Sequence, residues 1–135
     1  MIKAIIFDFF GVLFIDGQPN RQLLDTIQAE FKPRCKIGIL SNSSGDITQL
    51  LPPPDRQLFD DATLSYEHSV AKPHPEIYKI AAKRLGVESE ECIYIDDYGY
   101  RVEGAKAAGM QAILYRDFRQ MKTELEKLLS ASPDN

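Results

Sequence analysis

The sequence predicts a doubly wound α/β fold, a parallel sheet with helices on both faces, and three observations predict it. Short apolar runs rich in β-branched residues alternate with segments whose apolar positions recur at helical spacing. The connections between successive runs are too long for hairpins, so the strands must lie parallel with helical crossovers between them. The first run, Ile2–Phe7, is apolar at almost every position, as a strand covered on both faces has to be.

Taken in order, Ile2–Phe7 is the first strand, with Asp8 at its carboxyl end and Gly11 allowing the chain to bend. Phe14–Pro19 reads as a loop, with Asp16-Gly17 as turn chemistry. Asn20 can cap a helix that carries Leu23, Leu24, Ile27 and Phe31 on one face and closes at Pro33. Lys36–Leu40 is the second strand and runs into the small polar cluster Ser41-Asn42-Ser43-Ser44-Gly45. A short helix around Asp46–Leu51 stops at Pro52-Pro53-Pro54, and a weak strand occupies Ala62–Ser65. Pro73-His74-Pro75 opens the next helix, with His74 as its cap. Its buried stripe is Ile77, Ile80, Ala81 and Leu85, and Gly86 stops it. Cys92–Ile95 is a strand ending in Asp96-Asp97, Val102–Ala108 a helix, and Gln111–Tyr115 the fifth strand. Phe118, Met121, Leu125, Leu128 and Leu129 mark a last amphipathic helix, after which Ser130–Asn135 should fray.

The 135 residues suit one domain, 1–135. With 44% hydrophobic and 27% charged residues, the composition is that of an ordinary soluble protein. A net charge of −4 with interspersed signs argues against nucleic acid as a binding platform and against an anionic membrane surface. Cys35 and Cys92 each precede an apolar run and read as small buried hydrophobes. With no CxxC pattern they imply a reducing compartment. The apolar N-terminus is split by Asp8 and lacks a small-x-small cleavage site, so a cytoplasmic location is expected.

In a parallel sheet every strand's carboxyl end reaches the same edge, where ligands bind. Asp8, Ser41 and Asp96-Asp97 each directly follow an apolar run and should converge there, while Lys72, just ahead of a helix, can approach from the side. Crowded carboxylates repel unless a cation sits between them. Mg²⁺ meets that need with carboxylates, a backbone carbonyl and waters, and it would draw in a phosphate. Ser41, Asn42 and Lys72 could then hold phosphate oxygens while Asp8 attacks phosphorus.

These residues resemble the haloacid dehalogenase-like (HAD) superfamily over nearly the whole chain. The nucleophile motif is matched by Phe7-Asp8-Phe9-Phe10-Gly11-Val12-Leu13 and the hydroxyl motif by Ile39-Leu40-Ser41-Asn42. Lys72-Pro73-His74-Pro75-Glu76-Ile77-Tyr78 matches the lysine motif. Tyr94-Ile95-Asp96-Asp97 matches the acidic motif, which continues through Val102-Glu103-Gly104-Ala105-Lys106-Ala107-Ala108-Gly109-Met110. The resemblance implies a Rossmann-like sheet with its five strands in the order 5-4-1-2-3. It also implies Mg²⁺ held by Asp8, Asp96 and the backbone carbonyl of Phe10, with Asp97 as a ligand or its support.

Two departures from the family pattern bear on function. The gaps between Asp8 and Ser41 and between Ser41 and Lys72 are filled by core elements, which leaves no cap domain and an open pocket. Phosphatases of the family carry a second Asp two residues after the nucleophile as general acid and base, and this chain has Phe10 there. A phenyl ring moves no proton, and losing general acid–base help costs roughly 10²–10⁴-fold in rate. The expectation is a slow Mg²⁺-dependent phosphohydrolase acting through an aspartyl-phosphate on a phosphorylated small molecule or macromolecule, best on acyl or aryl phosphates.

The alternative is a binding or scaffold protein that keeps fold and metal without turnover. A dehalogenase ranks lower, because that chemistry needs no paired acidic residues. A response-regulator receiver has its acidic pair after the first strand, the reverse of the order in this chain. Tyr98, Tyr100 and Arg101 lie close enough behind Asp97 for one to reach substrate, the default for His68 is solvent, and an exposed Phe9–Phe10 pair would favour a homo-oligomer.

Overall fold

The structure is a computed structural model and describes residues 1–131. Seven strands form in chain order: β1 (Ala4–Phe7), β2 (Phe14–Ile15), β3 (Gln18–Pro19), β4 (Lys36–Ser41), β5 (Asp61–Leu64), β6 (Cys92–Asp96) and β7 (Gln111–Leu114). The helices are α1 (Arg21–Thr26), α2 (Pro53–Arg56), α3 (Pro75–Arg84), α4 (Gly99–Ala107) and α5 (Phe118–Ser130). Five strands make one parallel sheet in the order β5-β4-β1-β6-β7. Numbered among themselves along the chain, they give the expected order 5-4-1-2-3, read from the opposite side.

Strand alternation divides the core in two. Ile5, Phe7, Ile37, Ile39, Ile93 and Ile95 turn to the face covered by α1 and α5, through Leu23, Leu24, Met121, Leu125 and Leu129. Ala4, Ile6, Leu40, Cys92 and Tyr94 turn to the other face, against Ile77, Tyr78, Ala81 and Leu85 of α3 and Ala105 of α4. With both faces covered, β1 is apolar and buried at every position. Both cysteines are free and buried, as small hydrophobes would be.

Four local expectations need correction. The Phe14–Pro19 loop is a small hairpin, β2–β3, whose turn residues Asp16 and Gly17 both have positive φ (53° and 77°). That is the backbone an Asp-Gly hairpin turn demands, but strands two residues long leave no alternating pattern to read. The helix capped by Asn20 does not stay α-helical to Pro33. After α1 it widens into a π-helical segment, Ile27–Phe31, where Lys32 N donates to Ile27 O at 2.7 Å. The prolines after Leu51 do more than stop the chain, because Pro53 begins α2, where a missing N–H costs nothing. Helix α4 starts at Gly99, three residues earlier than expected, because Asp96 Oδ1 accepts the Tyr98 N–H (3.0 Å) and turns the chain at once. Of the tail expected to fray, Ser130 is still helical, and 132–135 lie outside the described residues.

Candidate active site

Parallel register brings the acidic residues together. Phe7 pairs with Ile39 on one side and Ile95 on the other, so the next residues, Asp8, Leu40 and Asp96, lie level at the carboxyl edge. The Asp8 N–H donates to Ile95 O (2.8 Å), which holds Asp8 in line with the sheet. Asp8, Asp96 and Asp97 each present a carboxylate oxygen, and these oxygens lie within 4.8 Å of one another.

Lys72 enters from the loop ahead of α3, and its ammonium is fully buried between two of the carboxylates. Nζ donates to Asp8 Oδ1 (2.7 Å), Asp96 Oδ2 (3.0 Å), Leu40 O (3.0 Å) and Tyr94 Oη (2.6 Å). The Tyr94 hydroxyl in turn donates to Asp96 Oδ2. Asn42 holds the lysine from behind. Its Oδ1 accepts the Lys72 N–H (2.9 Å), and its Nδ2 donates to Lys72 O (3.0 Å). The Asn42 amide therefore positions the Lys72 backbone. Ser41 is buried at the end of β4.

After β1 the chain wraps around the Phe9 carbonyl, which accepts the N–H groups of Val12, Leu13 and Phe14. Phe9 is wholly buried and stacks on Phe14, whereas Phe10 stands edge-on to both rings and is 46% exposed. Gly11 has φ +89°, and a Cβ there would lie 2.1 Å from Asp97 Oδ2, so only glycine lets the loop pass over that carboxylate. A cavity of about 310 Å³ opens at this edge, lined by Asp8, Phe10, Gly11, Ser41, Asn42, Asp97, Tyr98 and Arg101.

The electrostatics are those of an under-neutralised acidic cluster. Burial pushes the Asp8 carboxyl up to about 7, against the pull of Lys72 and with a further push from Asp96. Burial also works against the Asp96 carboxylate, but Lys72 and the Tyr94 hydroxyl outweigh it and hold that group below its ordinary value. Asp97 is raised, chiefly by burial. Two oxygens in the cluster, Asp8 Oδ2 and Asp97 Oδ1, are buried without a hydrogen-bond partner. Orphaned carboxylate oxygens in one acidic cluster are a configuration that a hard divalent cation satisfies, and an all-oxygen donor set suits Mg²⁺.

A family model described as haloacid dehalogenase-like hydrolase matches residues 21–109, more than half of the chain. The chain belongs to the haloacid dehalogenase-like hydrolase family. The matched segment contains Ser41, Lys72, Asp96 and Asp97, and Asp8 lies ahead of it. The chain is 41% identical over 119 residues to glyceraldehyde 3-phosphate phosphatase of Methanopyrus kandleri, an alignment covering 86% of this chain and 51% of that one. It spans about half the length of that relative and of a matching Mycobacterium tuberculosis phosphatase, and 13% of the bifunctional epoxide hydrolase 2 of Rattus norvegicus. Among solved structures, an uncharacterised protein of Corynebacterium glutamicum superposes with a TM-score of 0.84 at 26% identity, covering 96% of each chain. A HAD-family enzyme of Bacteroides thetaiotaomicron, solved with magnesium and inorganic phosphate, has the same fold. Its TM-score is 0.71 at 17% identity, covering 90% of this chain and 99% of that one.

Of the residues the sequence pointed to, the edge brings together Asp8, Ser41, Asn42, Lys72, Asp96, Asp97 and Phe10. Sequence reasoning passed over Tyr94, although a strand residue two positions before Asp96 must share its face. Arg101, raised only as one of three candidates, lines the cavity, and its guanidinium lies over the Tyr98 and Tyr100 rings at 4.7 and 5.5 Å. His68 is half-buried with a partnerless Nε2, where solvent was expected. His74 accepts the Glu76 N–H (3.1 Å) as the helix cap it was expected to be. No helix among the described residues is long and apolar enough to cross a membrane.

Proposed function

We propose that this HAD-family chain is a phosphohydrolase in which Asp8 is the nucleophile and Mg²⁺ is held by Asp8, Asp96, Asp97 and the Phe10 carbonyl. The observation that carries this reading is the state of Asp8. One of its oxygens is fixed by the Lys72 ammonium and the other is buried without a partner at the cavity wall. When bound, the cation neutralises charge building on the phosphoryl oxygens.

The residues divide the remaining work. Lys72, clamped by Asn42, keeps Asp8 oriented and Asp96 ionised. An Asp8 oxygen attacks phosphorus, the bond from phosphorus to the leaving oxygen breaks, and that oxygen departs with the electron pair. Water then attacks phosphorus of the aspartyl-phosphate, releasing inorganic phosphate and a proton and restoring the Asp8 carboxylate. No acidic side chain stands at position 10 to protonate the leaving oxygen or deprotonate the water, so substrates with stable anionic leaving groups, acyl and aryl phosphates, are favoured. The exposed Phe10 ring supports a second reading, a protein that binds metal and phosphate without turning over.

The test is Mg²⁺-dependent release of phosphate from acetyl phosphate and p-nitrophenyl phosphate by the wild-type chain and Asp8→Asn. Release that needs both Mg²⁺ and Asp8 supports the hydrolase. Phosphate binding without release supports the second reading, and neither binding nor release removes both.

A further inference from the structure

A lysine ammonium has three protons. Lys72 Nζ already faces four acceptors, the carboxylates of Asp8 and Asp96, the Leu40 carbonyl and the Tyr94 hydroxyl, and its side chain has no exposed surface. It has no proton left for a phosphoryl oxygen. Asn42 is likewise engaged through both amide atoms with the Lys72 backbone. Two of the three groups expected to hold a phosphate are thus committed to holding the site together, and the third, Ser41, lines the cavity.

Arg101 is placed differently. It sits in the first turns of α4, and its carbonyl accepts the Tyr78 hydroxyl at 2.7 Å, which ties this part of the helix to α3. Helix α4 is held close at Gly104, where a Cβ would lie 2.5 Å from Pro73 O. The side chain lines the same cavity as Asp8, Ser41 and Asp97. It makes no ion pair within 4.0 Å among the described residues, and its Nε is buried without a hydrogen-bond partner. The Tyr98 and Tyr100 rings flank the guanidinium, and its buried Nε–H is a donor without a partner at the cavity. A planar fork of donors suits the non-bridging oxygens of a phosphoryl group.

We propose that Arg101, braced by Tyr98 and Tyr100, binds the phosphoryl oxygens of the substrate beside Ser41, in place of the engaged Asn42 and Lys72 donors, while Lys72 serves as the internal counter-ion of Asp8 and Asp96. The assignment rests on the phosphohydrolase reading above. It places recognition of the phosphate on the first turns of α4, at the pocket mouth.

The experiment is calorimetric titration of inorganic phosphate, with Mg²⁺ present, into wild type, Arg101→Ala and Arg101→Lys, with unfolding midpoints recorded alongside. The expected result is at least a tenfold loss of phosphate affinity in Arg101→Ala, partial recovery in Arg101→Lys, and recovery of Arg101→Ala by added guanidinium ion, which leaves wild type unaffected. A merely structural arginine would lower the midpoint without responding to guanidinium. If both variants bind phosphate as wild type does, the Arg101 assignment is overturned and the hydrolase reading stands. If wild type with Mg²⁺ neither binds phosphate nor releases it from acetyl phosphate, both fall.

Discussion

Tyr94 Oη lies 2.6 Å from Lys72 Nζ, wholly inside the protein, and joins the lysine and Asp96 into one hydrogen-bonded unit. Burial, reinforced by Asp96 and Asp8, holds its phenol well above the ordinary value, so the hydroxyl stays protonated and donates to Asp96. Tyr94→Phe keeps the ring and its contact with the ammonium but takes from the buried Asp96 carboxylate one of its donors, and from Lys72 one of four acceptors. We expect a loss of about 1–3 kcal/mol in urea unfolding. An unchanged midpoint would mean that water replaces the hydroxyl.

Phe10 is nearly half exposed and touches Phe9 and Phe14 only edge-on, so changing it disturbs little of the core. Phe10→Asp restores a proton-transferring group two residues from the nucleophile. Hydrolysis of an alkyl phosphate is expected to rise by roughly 10²-fold or more, with a smaller gain on acetyl phosphate. No gain on either substrate would show that the phenyl ring is not what slows turnover.

Asp97 contributes a buried oxygen without a partner to the acidic cluster. Without metal it is a source of repulsion, so Asp97→Asn should be as stable as wild type or more so. A saturating cation stabilises the folded state, by about 2.7 kcal/mol at a hundred times its dissociation constant. Mg²⁺ is therefore expected to raise the wild-type melting midpoint and to raise that of Asp97→Asn less. Equal responses would place the ion elsewhere.

Asp60 fastens the start of β4: Oδ2 accepts the Ile37 N–H (2.8 Å) and Oδ1 the Lys32 ammonium (2.8 Å). Partial burial opposes its charge, but these two donors outweigh it and lower the group below its ordinary 3.8. A lowered carboxyl stabilises the fold fully above its unfolded value, and that contribution disappears as pH falls through the folded one. The lysine contact is partly exposed and adds little, so most of the effect comes from the charge on the acceptor of the backbone hydrogen bond, which strengthens it by about 1 kcal/mol over a neutral amide oxygen. In urea, wild type should exceed Asp60→Asn by that margin at pH 7, and the gap should shrink below pH 4. A gap that persists at pH 2 would assign the effect to packing.

Much of this arrangement is legible along the chain because its signals are local. Two-residue alternation places Ile5 and Phe7 on one face and Ala4 and Ile6 on the other, and parallel register then carries Asp8 and Asp96 to one edge whatever the loops do. The β2–β3 hairpin and the early start of α4 were illegible for the opposite reason. The first is too short to show a period, and the second depends on a carboxylate capping its own backbone two residues on.

Which residues reach the carboxyl edge of the sheet follows from apolar periodicity and chain order, because strand direction and side-chain alternation are properties of neighbouring residues. What each of them bonds to at that edge depends on the tertiary structure. Hydrogen-bonding capacity is finite, and its use depends on partners distant in sequence. Tyr94, Asp8, Asp96 and the Leu40 carbonyl together saturate one ammonium, Asn42 turns to the backbone of Lys72, and the Arg101 Nε–H is left without a partner.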